Sequence, residues 1–252
     1  MGTGWAALGP QGQSPATFMT TYIFTPPPTP SLAITGTTDR FPIRRVICVG
    51  RNYAAHAREM GSDPDREPPF FFMKPADAVV PAEGVIAYPS ATNDLHHEIE
   101  LVVALGGGGV NIDTDNAMDL VWGYGVGLDL TRRDLQQQAK DTRRPWDMGK
   151  GFDASAPCSP LVPASAIGHP AAGRVFLDVN GKRVQDGDLN ELIWPVADLI
   201  SQLSTLMALQ PGDLIFPGTP AGVGALQPGD RVHGEVEGVA AFDLSIGPRP
   251  RA

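Results

Sequence analysis

The stretch Glu98-Ile99-Glu100-Leu101-Val102-Val103-Ala104-Leu105 sets two carboxylates at the head of an apolar run and ends at four consecutive glycines, Gly106 to Gly109. It reads as a β-strand closed by a turn. Side chains alternate along a strand, so Glu98 and Glu100 share one face and Ile99 takes the other. Acidic residues alternating with apolar ones are ordinary on a half-exposed strand.

A second apolar strand is expected from Trp122 to Leu130, with Asp129 near its end. A carboxylate buried without a partner in such a glycine-rich, apolar segment is strongly disfavoured. A metal ion, or a basic partner such as Arg133 or Lys150, would relieve it. Thr131 followed by Asp134 resembles a capping box, which predicts a helix from Arg132 to Lys140 and puts Asp129 at a strand-to-helix junction. Glu98, Glu100 and Asp129 together suit a hard divalent cation such as magnesium, which takes oxygen ligands and keeps positions open for water or substrate. Without a cation, mutual repulsion would raise at least one of their pKa values.

Other candidates are weaker on spacing alone. A short strand, Val46 to Val49, ends at Gly50, and Tyr53 to Met60 follows as a helix candidate carrying His56 and Glu59 one turn apart. They suit an acid–base pair and equally a surface pair. A proline-rich loop leads to apolar Phe70 to Met73, where Lys74-Pro75 breaks the run, and residues 51–75 read as containing a lid. Lys150, between Gly149 and Gly151, suits either enolate or carboxylate binding, or an ordinary surface position. His96 and His97 with Glu98 suggest zinc, a lower-ranked reading because no third nitrogen or sulfur ligand follows. Val175 to Val184 reads as a hairpin around Asn180-Gly181, and Asp198 to Met207 as a core-facing helix. Pro211-Gly212-Asp213 and Pro228-Gly229-Asp230 each introduce a strand, and the loop Gly218 to Gly224 lets backbone approach a ligand closely. Neither glycine-rich loop has the spacing of a nucleotide site.

With 252 residues the chain suits one large core. Residues 1–40 read as a flexible N-terminal extension and extended arm, and 41–252 as a single catalytic domain. The 29 glycines and 25 prolines point to a β-rich fold with many turns. A net charge of −9 argues against a nucleic-acid partner, but not against a small anionic substrate. Cys48 and Cys158 form no disulfide or thiolate-metal spacing, and no apolar run approaches the roughly 18 residues of a membrane span. A cytoplasmic protein without a membrane partner is expected.

Five segments in order carry a resemblance: Val49-Gly50-Arg51-Asn52-Tyr53-Ala54-Ala55-His56, Phe72-Met73-Lys74-Pro75, His97-Glu98-Ile99-Glu100-Leu101, Gly123 to Asp134, and Gly218-Thr219-Pro220-Ala221-Gly222-Val223-Gly224. They resemble the fumarylacetoacetate hydrolase family over nearly everything from Arg44 to Glu235. The resemblance implies an α+β, β-rich fold: a mixed β-sandwich or roll of the fumarylacetoacetase C-terminal-domain type, commonly a homodimer. It implies Mg2+ or Mn2+ held by Glu98, Glu100 and Asp129. His56 and Glu59 become a water-activating dyad, Lys150 the active-site lysine, and Arg51, Arg133, Gln136 and Thr219 the substrate-binding set. One departure is Gly151, where the family often has a small non-glycine residue after the lysine.

The implied activity is hydrolysis of the carbon–carbon bond of a 3-acylpyruvate. The expected substrate is fumarylpyruvate, a dicarboxylic diketone of gentisate breakdown, giving fumarate and pyruvate. Oxaloacetate decarboxylation, isomerisation or decarboxylation of a hydroxymuconate-type acid, and a non-catalytic small-acid binder are the alternatives.

Overall fold

The computed structural model describes residues 21–54 and 68–250. Its main sheet has eight strands. Seven lie in the order Phe70–Lys74, Arg45–Gly50, Asp213–Phe216, Ile99–Leu105, Val121–Leu128, Ala156–Cys158, Val79–Pro81, and Val162–Pro163 pairs with the Val121–Leu128 strand. The sheet is mixed: Asp213–Phe216 runs parallel to Arg45–Gly50, and the central Ile99–Leu105 and Val121–Leu128 pair is antiparallel. A second sheet of five strands has the order Lys182–Asp188, Arg174–Val179, Arg231–Val236, Ala240–Ile246, Glu83–Ile86. A small third sheet joins Thr131–Arg132, Leu95–His97 and Gly224–Leu226. This is the expected β-rich, mixed sandwich.

Period-two alternation decides which side each residue serves. On the central strand Ile99, Leu101, Val103 and Leu105 join the core shared with Val175, Leu177, Val232 and Phe242 of the second sheet. Val102 and Ala104 join a core on the opposite face with Val46, Cys48, Leu214 and Phe216. Every residue of the strand is buried. At about 25 cal/mol per Å² of apolar surface removed from water, two covered faces make this strand the mechanical centre of the fold. The half-exposed reading of its acidic face is therefore overturned: Glu98 is 5% exposed and Glu100 2%.

The neighbouring strand carries glycine at alternate positions, Gly123, Gly125 and Gly127, because other backbone lies against that row. A Cβ on Gly123 would stand 2.4 Å from the Val162 carbonyl, and one on Gly127 would stand 2.9 Å from that of Pro157. Asp129 follows two residues later, and its N–H donates to the Glu98 carbonyl at 2.8 Å. The two acidic segments are thereby locked side by side.

The hairpin turns at Asn180 and Gly181, both in the left-handed region as a tight two-residue connection requires. The two longer helices run Arg133–Asp141 and Val196–Leu206, the latter burying Leu199, Ile200 and Leu203, and a short one, Asp147–Lys150, ends at the lysine. One local expectation fails, because no capping box forms at the first helix. Thr131 Oγ1 donates to its neighbour Asp129's carbonyl, and Asp134 instead accepts from Thr92 Oγ1 at 2.7 Å and Asn93 N at 3.1 Å. Asp134 thus ties the helix start to the loop before Leu95–His97. At the N-terminal side, Ser31–Ala33 pairs with Arg40–Pro42, and Thr35 N–H donates to Leu161 O at 2.9 Å. Among the described residues no helix is long and apolar enough to cross a membrane, and both cysteines are free and buried.

Candidate active site

Glu98, Glu100 and Asp129 converge, each offering an oxygen within 4.8 Å of the others, and all three are buried. Burial, followed by the charges of Asp129 and Glu98, pushes the Glu100 carboxyl well above the usual carboxylate range. Its Oε2 accepts the Gly218 N–H at 2.7 Å. Gly218 has φ +121° and a Cβ there would meet Asn52 at 3.0 Å, so glycine is required for the loop to turn its amide onto the carboxylate.

Two lysines hold the other carboxylates. Lys150 Nζ donates to Glu98 Oε2 and Asp129 Oδ2, both at 2.7 Å. Burial opposes its ammonium form, yet the charges of Asp129 and Glu98 outweigh burial and hold its pKa above the ordinary lysine value. The surface reading of Lys150 is excluded by its 2% exposure. Lys74 Nζ lies 2.8 Å from Asp129 Oδ1 and donates to the Leu130 carbonyl at 3.1 Å and to that of Lys150. From the sequence Lys74 breaks an apolar run and belongs to one of the resembling segments, with no site role assigned to it. It is the last residue of the strand Phe70–Lys74 and fully buried. The available signal was a cation between a buried-strand pattern and proline.

Arg133 does not reach Asp129, the partner expected for it. It donates to Glu98 Oε1 at 2.5 Å and to Gln136 Oε1 at 2.6 Å, one helical turn on. The histidines leave the cluster too. His96 pairs with Asp94 at 2.9 Å, and His97 Nδ1 lies 2.8 Å from Gln185 Oε1. Among the described residues the metal-competent group is all carboxylate, so the zinc reading is corrected in favour of a hard, oxygen-preferring ion.

Glu98, Glu100, Asp129, Arg133, Gln136 and Lys150 line one cleft together with Val49, Arg51, Phe72, Trp146 and Thr219. Arg51 sits in the left-handed region at φ 63°, a conformation normally disfavoured for a side-chain-bearing residue. Its neighbour Asn52 holds the turn by donating to Trp194 O and Pro217 O and accepting from Trp194 N, at 2.7 to 3.0 Å. Lys140 lies over the Trp146 ring at 5.2 Å. Burial, then the charges of Arg133 and Arg51, lower its pKa to about 8. With Arg51, Arg133 and Lys150 in its lining, the cleft sets cations beside its buried carboxylates. His56 and Glu59, and most of the expected lid, lie outside the described residues.

The donor set suits a divalent cation. Asp129 Oδ1 is buried without an aligned hydrogen-bond donor, although Lys74 stands close enough for an ion pair. Burial and two neighbouring carboxylates disfavour the ionised form of Glu100, which a bound cation would stabilise.

Residues 45–246 match the model of the fumarylacetoacetate (FAA) hydrolase C-terminal family. The chain belongs to that family. It is 44% identical over 191 residues to a fumarylpyruvate hydrolase of Ralstonia sp, covering 75% of this chain and 99% of that one. A crystal structure of fumarylpyruvate hydrolase from Pseudomonas aeruginosa in complex with Mn2+ and pyruvate superposes with a TM-score of 0.89 at 52% identity, covering 90% of this chain and 99% of that one. The mitochondrial oxaloacetate tautomerase of Rattus norvegicus is 39% identical over 203 residues, covering 81% of this chain and 91% of that one.

Proposed function

We propose that the chain hydrolyses a 3-acylpyruvate, with fumarylpyruvate as substrate and fumarate and pyruvate as products, in gentisate breakdown. The observation that carries this reading is the buried set Glu98, Glu100 and Asp129 bridged by Lys150 in a cleft that Arg51 and Arg133 also line. Similarity to a fumarylpyruvate hydrolase that binds Mn2+ and pyruvate supports it. When bound by the three carboxylates, Mg2+ or Mn2+ would supply Lewis acidity at the 2-oxo acid end.

The protein's own groups do the rest. Arg51, Arg133, Gln136 and Thr219 hold the substrate's oxygens and carboxylates, fixing its orientation and removing rotational freedom before reaction. His56, oriented by Glu59, takes a proton from water, and the water oxygen bonds to the distal acyl carbon. The bond from that carbon to the methylene then breaks. Its electron pair goes to the pyruvate enolate, and protonation of the methylene carbon completes pyruvate. Lys150 stabilises the negative charge that develops on oxygen as the enolate leaves. Assembly as a homodimer belongs to the same proposal and is read from the mass in solution.

An assay of the metal-loaded protein with fumarylpyruvate, its maleyl isomer and oxaloacetate tests the reading, with fumarate, pyruvate and carbon dioxide measured separately. Equal amounts of fumarate and pyruvate from fumarylpyruvate are expected. Efficient turnover of oxaloacetate with acylpyruvates left intact would overturn it.

A further inference from the structure

Gln185 belongs to the hairpin strand Lys182–Asp188 of the second sheet, yet its side chain reaches the wall of the cleft and is 1% exposed. Its amide is saturated. Oε1 accepts the Ile99 N–H at 3.1 Å and faces His97 Nδ1 at 2.8 Å, while Nε2 donates to Thr219 Oγ1 and to the Pro220 carbonyl, both at 2.8 Å.

Two of these partners fix the orientation of the amide. A backbone N–H can only donate and a backbone carbonyl can only accept, so the Ile99 and Pro220 contacts allow no flip. Two consequences follow. His97 must carry its proton on Nδ1, with burial holding its pKa below the ordinary histidine value. The Thr219 hydroxyl must accept from Gln185, which leaves its own proton to be donated elsewhere. Thr219 lines the cleft beside Arg51 and Arg133.

We propose that Gln185 is a positioning residue that commits the Thr219 hydroxyl to donating into the cleft, so that it selects an anionic oxygen of the ligand. The inference rests on the acylpyruvate reading only for the identity of that ligand. A donor fixed in advance loses no hydrogen-bonding alternatives on binding, whereas a freely rotating hydroxyl must be ordered. With a carboxylate at position 185 the contacts to Ile99 and His97 survive, but the donor to Thr219 is replaced by an acceptor. The hydroxyl then turns its proton away from the cleft.

Titration calorimetry of the manganese-loaded protein with pyruvate tests this, alongside KM and kcat for fumarylpyruvate. Gln185→Glu and Thr219→Val should each weaken pyruvate about tenfold, a typical loss for one hydrogen bond to a charged group. The double variant should lose no more than either single one, and Thr219→Ser should recover what Thr219→Val loses. In Gln185→Glu the loss should fall on KM and pyruvate affinity rather than on kcat. Thermal melts confirm folding, and Gln185→Met, which removes the donor without adding charge, serves if Gln185→Glu does not fold. Retained pyruvate affinity in a folded Gln185 variant, or losses that multiply in the double variant, would overturn the proposal. Absence of acylpyruvate turnover by the wild type sinks the proposed function alone, because pyruvate binding still decides the role of Gln185.

Discussion

Lys150 Nζ stands 2.7 Å from Asp129 Oδ2 and equally close to Glu98 Oε2, so one ammonium bridges two carboxylates of the same buried cluster. Its charge offsets the repulsion between those two carboxylates, and in the proposed mechanism it also stabilises the enolate oxygen.

Lys150→Met should lower kcat for fumarylpyruvate by about 100- to 1,000-fold, the usual loss when one stabiliser of developing oxygen charge is removed. The metal-free variant should also melt below the metal-free wild type, because Glu98 and Asp129 lose the cation they share and keep only Arg133 and Lys74. Steady-state kinetics and thermal melts check both, and an undiminished kcat would remove Lys150 from the chemistry.

Lys74 serves a different purpose, since it binds Asp129 from the far side and ties the Leu130 and Lys150 carbonyls together. Both side chains of this ion pair are about fully buried, at 0% and 1% exposed. Removing one partner of a buried pair leaves an uncompensated charge and costs about 3–5 kcal/mol. Asp129 keeps Lys150, so Lys74→Met should show a smaller but clear loss, below that size, in urea unfolding with chelator present. A variant as stable as the wild type would contradict the assigned ion pair.

The two lysines also mark how far the sequence could be read. Alternation around Glu98 and Glu100, the strand ending at Asp129, the Asn180-Gly181 hairpin and the helix at residues 196–206 follow local periodicity or turn chemistry, and they fold as such. Lys150 was legible as a candidate only because glycines isolate it. Lys74 and Gln185 were missed as site residues because their roles depend on contacts 55 and 34 positions away, Asp129 and Thr219. No local pattern encodes those distances. The capping box failed for the same reason, as Asp134 is drawn to Thr92 and Asn93 across the third sheet. Burial of both faces of the Ile99–Leu105 strand was likewise a tertiary outcome, and it turned an ambiguous acidic stripe into an internal cluster.

Lys140 gives a pH signature. Its folded pKa, about 8, lies below the ordinary lysine value of 10.5. Between those values the unfolded chain binds more protons, so this residue makes stability rise with pH through that window. Below about 8 both states are protonated and the full destabilisation persists. Lys140→Met should therefore gain more stability over the wild type at neutral pH than in alkaline buffer, by denaturant unfolding. An equal gain at both pH values would contradict it.

The central claim is that Glu98, Glu100 and Asp129 hold a divalent ion required for turnover. Fumarylpyruvate hydrolysis measured after exhaustive chelation, and again after Mg2+ or Mn2+ is restored, tests it most directly. The account predicts that activity disappears with the metal and returns with it in the wild type, but does not return in Glu100→Gln. Full turnover by the chelated wild type would contradict it.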